Sequence, residues 1–308
     1  MLAAPVLFAI LAVEPTSPAL QPGATPAPKS SRRDPCGGPQ ELLKKYLAAS
    51  PCVFVAGQAS LQATYATTSI PADVVLDLGG STSPARANRS AIGYPGALIN
   101  IGVSHNAQIM ILPPSFSQLS SATRGTLVAG ATDMEFWYKQ LIYVDSARGI
   151  LGGLLLTYEP PTGSPGIAAP GPSYTINPLL NLATNRARSM GVSLAFPVTN
   201  FASASSSGIT RSWSFVPQAV PFWRSPGGTL LALVVSHDFT TNATPLLLNT
   251  AQLVTRQFQI QATYGGVNSA VDLANPLAGV TRAQGTSYSR TLTVGGSYMF
   301  GTSDAISP

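Results

Sequence analysis

Apolar and small polar residues alternate along most of the chain beyond Val53, the two-residue period of strands with one apolar face. The pattern is cleanest near the C-terminus. There Leu292, Val294, Gly296, Tyr298 and Phe300 share one face, and Thr291, Thr293, Gly295, Ser297 and Met299 share the other. Val53, Val55, Gly57, Ala59, Leu61, Ala63 and Tyr65 alternate in the same way with Phe54, Ala56, Gln58, Ser60, Gln62 and Thr64, which predicts a first long strand starting at Val53. A hairpin is expected over Ala97 to Ile111, turning near His105 and Asn106 and ended by Pro113 and Pro114. Further strands are expected around Asp133 to Tyr143, Ile150 to Glu159, Tyr174 to Thr184, Ser189 to Phe196, Thr210 to Trp223, Thr229 to Phe239, Leu246 to Val254, Phe258 to Tyr264 and Ser287 to Phe300. Gly79 to Tyr94, Ala202 to Gly208 and Gly265 to Gly285 read as connections, and Ser225 to Gly227 and Thr255 to Arg256 as tight turns. The total is about a dozen strands, each near the roughly 9–11 residues that cross a bilayer when tilted.

The strand from Asp133 to Tyr143 carries the most information. Met134, Phe136, Tyr138 and Ile142 fall on one face, while Asp133, Glu135, Trp137 and Lys139 fall on the other. That second face is costly against lipid or in a dry core, and ordinary inside a watery or self-paired lumen. Asp133, Glu135 and Lys139 are therefore the candidate lumen-lining residues, along a solute path or within a structural network of the wall.

Composition favours the same architecture. Only 9 % of the 308 residues are charged, against roughly 25 % in typical soluble domains, yet no apolar run reaches the roughly 20 residues of a membrane helix. An alternating barrel dilutes its apolar signal in this way, because every second residue faces the lumen. The predicted fold class is all-β: an antiparallel transmembrane β-barrel of about twelve strands over residues 53–300, preceded by a short disulfide-tethered N-terminal helix. The alternative is a secreted soluble all-β binding or adhesion protein.

Ahead of the barrel, residues 1–13 form a signal-like apolar segment too short to span a membrane. Residues 14–35, rich in Pro, Ser and Ala, read as a disordered leader. Cys36 and Cys52, the only cysteines, bracket Leu42, Leu43, Tyr46 and Leu47 at helical spacing. A disulfide between them would close residues 36–52 into a helical segment and implies an extracytoplasmic compartment. That segment can enter the lumen, cap its periplasmic mouth or simply stabilise the start of the barrel. Residues 301–308 form a C-terminal tail.

Charge and chemistry narrow the function by exclusion. The formal net charge is +5, with five basic and three acidic residues ahead of Val53. The rest is too scattered to form the basic face that nucleic acid requires, so no nucleic-acid partner is expected. The two histidines, His105 and His237, do not converge with a nucleophile: Ser236, His237 and Asp238 are strand neighbours that point to opposite faces. No Gly-rich phosphate loop and no metal-ligand spacing is present. No catalytic residue, cofactor or metal is expected, and the chain is read as a non-enzyme.

Two resemblances extend this reading. Thr293, Gly295, Tyr298 and Phe300 fill the polar, glycine, aromatic and terminal aromatic slots of a motif that resembles the C-terminal insertion signal of bacterial outer-membrane barrels, although eight residues follow it. This implies the barrel-assembly machinery and the lipid bilayer of the cell outer membrane as partners. Pro35 to Leu43 with Ser50 to Val53, Tyr94-Pro95 with Asn100 to Ser104, Leu112 to Phe116, Gly130 to Lys139 and Pro160 to Gly163 together resemble a transporter-like family of Gram-negative outer-membrane barrels. That family, MetA-type, is linked by name to phenol degradation. Asn100 and Gln108 stand where similar chains often carry charged or arginine residues. The resemblance implies a passive channel or uptake pore for small, hydrophobic or aromatic solutes; a closed structural barrel without transport is the competing expectation.

Overall fold

In the computed structural model, which describes residues 36, 48–121, 125–165, 167–183, 189–205, 208–240, 242–277 and 280–301, a single antiparallel sheet of sixteen strand segments closes on itself. The first segments are β1 (Ala59–Asp77), β2 (Thr82–Gly102), β3 (Ala107–Leu112), β4 (Phe116–Ser121) and β5 (Gly125–Ala131). They are followed by β6 (Glu135–Asp145), β7 (Ile150–Glu159), β8 (Ser173–Ala183), β9 (Met190–Ala195) and β10 (Val198–Ser205). The last are β11 (Gly208–Phe215), β12 (Gln218–Arg224), β13 (Thr229–Ser236), β14 (Thr244–Leu253), β15 (Phe258–Leu277) and β16 (Val280–Phe300). Both β3 and β4 pair with β2, and both β9 and β10 pair with β8. Each pair of segments is thus one interrupted strand, as are β5 with β6 and β11 with β12, and the wall has twelve strands. Pairing of β1 with both β2 and β16 seals the barrel, so no long edge is left at the seam.

Alternation decides which residues face out. On β16 and β1, Leu292, Val294, Tyr298, Phe300, Leu61 and Tyr65 are exposed on the outer surface, while Ser297, Met299 and Ser60 are buried inside. The same outward band includes Ile109, Phe136, Ile176, Leu231, Leu233, Leu246, Leu248 and Ile260. An apolar belt of this extent excludes water poorly in solution and is the ordinary exterior of a barrel in lipid. Aromatic rings border it. Trp223, Phe258, Tyr298 and Phe300 lie toward the end that carries the first and last strands' termini, and Tyr158 stacks on Tyr174 with centroids 5.2 Å apart toward the other. The protein is an outer-membrane β-barrel.

Short turns at 103–106, 225–228 and 254–257 join strands at the end that holds Ala59 and Phe300, so that end is periplasmic. From it β1, β2, β15 and β16 run for 19, 21, 20 and 21 residues, about twice the roughly 9–11 that a bilayer needs. β7 and β8 stop after 10 and 11 residues, and β13 and β14 after 8 and 10. The wall is high along the seam and low at these two hairpins.

This unevenness corrects the sequence reading. Gly79 to Tyr94 and Gly265 to Gly285, expected as connections, are largely strand: β1 pairs with β2 out to Asp77 and Thr82, and β15 with β16 out to Leu277 and Val280. Beyond the lipid neither face has to be apolar, so the backbone ladder holds without an alternating signature. Val53 to Gln58, expected as the first strand, lies outside strand structure, and β1 begins at Ala59. The expected helix falls on residues 37–47, outside the described residues, as do residues 1–35 and 302–308.

Candidate functional site

The inner surface has two characters. Along β15, β16, β1 and β2 it presents Gln259, Ser297, Ser60 and Asn100, with Asn100 Nδ2 donating to Ser60 Oγ at 3.0 Å. Small residues let this side lie flat. Thr64 is paired with Gly96 on one side and Gly295 on the other, its Oγ1 donating to the Gly96 carbonyl at 3.1 Å. A Cβ at Gly295 would collide with the Ala63 carbonyl and the Thr64 side chain. Opposite, β12, β13 and β14 turn Val220, Phe222, Leu230, Ala232 and Ala251 inward, where they cluster with Met110, Leu155 and Leu179.

Both sides enclose the chain that leads into β1. Ala49 joins the apolar cluster, and Ser50, Pro51, Cys52, Val53 and Phe54 are buried as well. The disulfide joins Cys36 to Cys52 with Cα atoms 5.7 Å apart, and both cysteines, fully buried, pack with Val53 against Leu141 and Leu151 of the wall. Phe54 N–H donates to Gln108 Oε1 at 2.6 Å, Val55 N–H to Gln58 Oε1 at 3.2 Å and Ala56 N–H to the Ser104 carbonyl at 2.9 Å. A Cβ on Gly153 would stand 2.8 Å from the Pro51 Cβ. The disulfide-linked segment therefore sits inside the lumen toward its periplasmic end. Sequence reasoning missed this because Val53 and Phe54 alternate smoothly into β1. The readable signal was Gly152-Gly153 within an apolar strand, which marks a close backbone approach.

The candidate lumen-lining residues take three different positions. Asp133, just before β6, accepts N–H groups of the β7–β8 loop: Oδ1 from Thr162 at 2.7 Å and Gly163 at 2.8 Å, and Oδ2 from Ala169 at 2.7 Å. It anchors the loop over the low side of the wall, helped by Met134 N–H donating to Thr162 Oγ1 at 2.8 Å. Glu135 Oε2 accepts the Trp137 indole N–H at 2.7 Å and fixes that ring. Lys139 alone of the three points into the barrel interior beside the N-terminal segment, 2 % exposed, between Gln108 on β3 and Leu155 on β7. Thr293, Gly295, Tyr298 and Phe300 all lie on β16, the two aromatics outward with rings 5.0 Å apart. His237 Nδ1 lies 3.0 Å from Thr244 Oγ1 on the outer rim, and His105 is in an exposed turn.

No family model matches the chain, and no curated protein sequence matches it. Solved structures do. An outer membrane channel from Pseudomonas putida F1 is similar at 15 % identity and a TM-score of 0.53, over 80 % of this chain and 97 % of that one. A Pseudomonas aeruginosa FadL homologue gives 10 % identity and a TM-score of 0.39 over 79 % and 90 %. The Pseudomonas putida toluene transporter TodX gives 6 % and 0.41 over 78 % and 89 %. At these identities the first likeness speaks for the fold.

Proposed function

We propose that this barrel is a passive uptake channel of the outer membrane for small molecules with apolar or aromatic bodies. The observation that carries the reading is the divided lumen: an apolar inner wall from β12 to β14 facing a wall of Gln, Ser, Thr and Asn. A purely structural barrel has no need for such a surface, whereas a solute with an apolar body and a polar end meets complementary groups on both sides. The neighbours named above as channel and toluene transporter agree with this, as does the peptide resemblance to the phenol-degradation-linked, MetA-type family. No convergent nucleophile, base and oxyanion site supports an enzyme among the described residues, and the channel reading makes the protein a non-enzyme.

In this reading the disulfide-closed segment at Ala49–Phe54 is the narrowest part of the path. The same burial favours one competing reading, a lumen closed for structural reasons. Proteoliposome permeation separates them. The channel predicts that purified protein admits benzyl alcohol and catechol much faster than protein-free vesicles, while a trisaccharide stays out. Equal rates with and without protein would leave only the closed barrel.

A further inference from the structure

Two polar groups inside the barrel lack partners, and they are adjacent. Lys139 on β6 and Gln108 on β3 are directly opposed in the register, so their side chains leave the wall on the same face with Cβ atoms about 4.5–5.5 Å apart. Lys139 is 2 % exposed and Gln108 0 %. The amide of Gln108 has a fixed orientation: its Oε1 accepts the Phe54 N–H at 2.6 Å, which leaves Nε2 as a buried donor with nothing to bond. Asp133 is the other buried charged side chain among the described residues, and both its oxygens are held by the β7–β8 loop. Glu135, on the same face of β6, is engaged by Trp137. Neither supplies a counter-charge to Lys139. An ammonium and an N–H donor buried side by side without an acceptor cost several kcal/mol, by order of magnitude, and an anion placed between them removes that cost.

The next row of the same two strands shows what the anion is attached to. Two residues along, and on the same face, Met110 opposes Trp137, about 6.6–6.8 Å from the donor row. Both residues pack with the apolar inner cluster, and Glu135 holds the indole ring in place. Leu155 closes the flank beside Lys139. A pair of donors with an apolar, aromatic slot one row away matches a planar ring that carries one carboxylate.

We propose that Lys139 Nζ and Gln108 Nε2 form a binding subsite for the carboxylate of a small aromatic monoacid, whose ring lies against Met110, Trp137 and Leu155. The inference rests on the channel reading for its purpose and on the two donors for its chemistry. Phe54 borders the subsite through its hydrogen bond to Gln108, so a bound acid sits where the N-terminal segment narrows the lumen.

Calorimetric titration of the detergent-solubilised, folded barrel with sodium benzoate and with benzyl alcohol, its uncharged isostere, tests this. Wild type is expected to bind benzoate at least about tenfold more tightly than benzyl alcohol. Lys139→Met should abolish the preference, Lys139→Arg should keep most of it, and Gln108→Leu should reduce it without touching the charge. Equal benzoate affinity in wild type and Lys139→Met, or no benzoate binding by wild type, overturns the subsite. Saturation by chloride with no benzoate binding assigns the pair to a simple ion and overturns it too. Conductance recorded on the same samples keeps the two readings apart. Lys139-dependent benzoate binding in a barrel that never conducts removes the channel and leaves the subsite; conduction with Lys139-independent binding does the opposite.

Discussion

At Gly295 a hydrogen in place of a methyl group decides whether the seam can close. Its neighbour across the strand, Thr64, fills the space that a Cβ would need and bonds the Gly96 carbonyl instead. Gly295→Val forces the Ala63 carbonyl or Thr64 to move, and overpacking of this kind costs about 1–3 kcal/mol. The expected result is a lower urea midpoint for the heat-modifiable folded form, with Thr64→Ala in the same chain restoring part of the loss. The sequence pattern marks Gly295 as a slot of an insertion motif and says nothing of this contact, because the partner lies on β1, at the far end of the chain. The same limit applies to Asp133, Glu135 and Lys139. Their shared face was legible from alternation, but their three separate roles depend on the β7–β8 loop, on an indole and on the segment inside the lumen, none of which a single strand records.

Among the elements, the β7–β8 loop and the N-terminal segment are fixed by few groups, so each can be released by small changes. Asp133→Asn replaces one accepting oxygen by an NH2 that faces a backbone donor, and leaving a buried donor unpaired costs about 1–3 kcal/mol. Hydrogen exchange should accelerate at Thr162, Gly163 and Ala169 while the amides of β6 and β7 stay protected; unchanged protection at the loop would contradict the anchoring role. Cys36→Ser with Cys52→Ser removes a cross-link between residues 16 apart in sequence, worth about 3 kcal/mol in the chain-entropy account. The expected outcome is faster exchange at Cys52 to Val55, with the β-strand amides little affected. The two cysteines were legible as a pair from their isolation in the composition. Where they sit was not, because burial inside a barrel leaves the same local pattern as continuation into its first strand.

For the whole molecule, the sequence announced a twelve-stranded barrel because lipid forces one face of every membrane-crossing segment to be apolar. It did not announce how high the wall stands. The extracellular parts of β1, β2, β15 and β16 answer only to backbone pairing, and their Ser, Gly, Thr and Asn look like loop residues on any local scale. The central claim is that the lumen conducts small solutes past a disulfide-tethered segment. Single-channel recording in planar bilayers tests it most directly, comparing wild type with the Cys36→Ser, Cys52→Ser double variant. The account predicts discrete conductance steps in wild type and larger or more frequently open steps in the double variant. Folded barrel that inserts and carries no current in either form would contradict it.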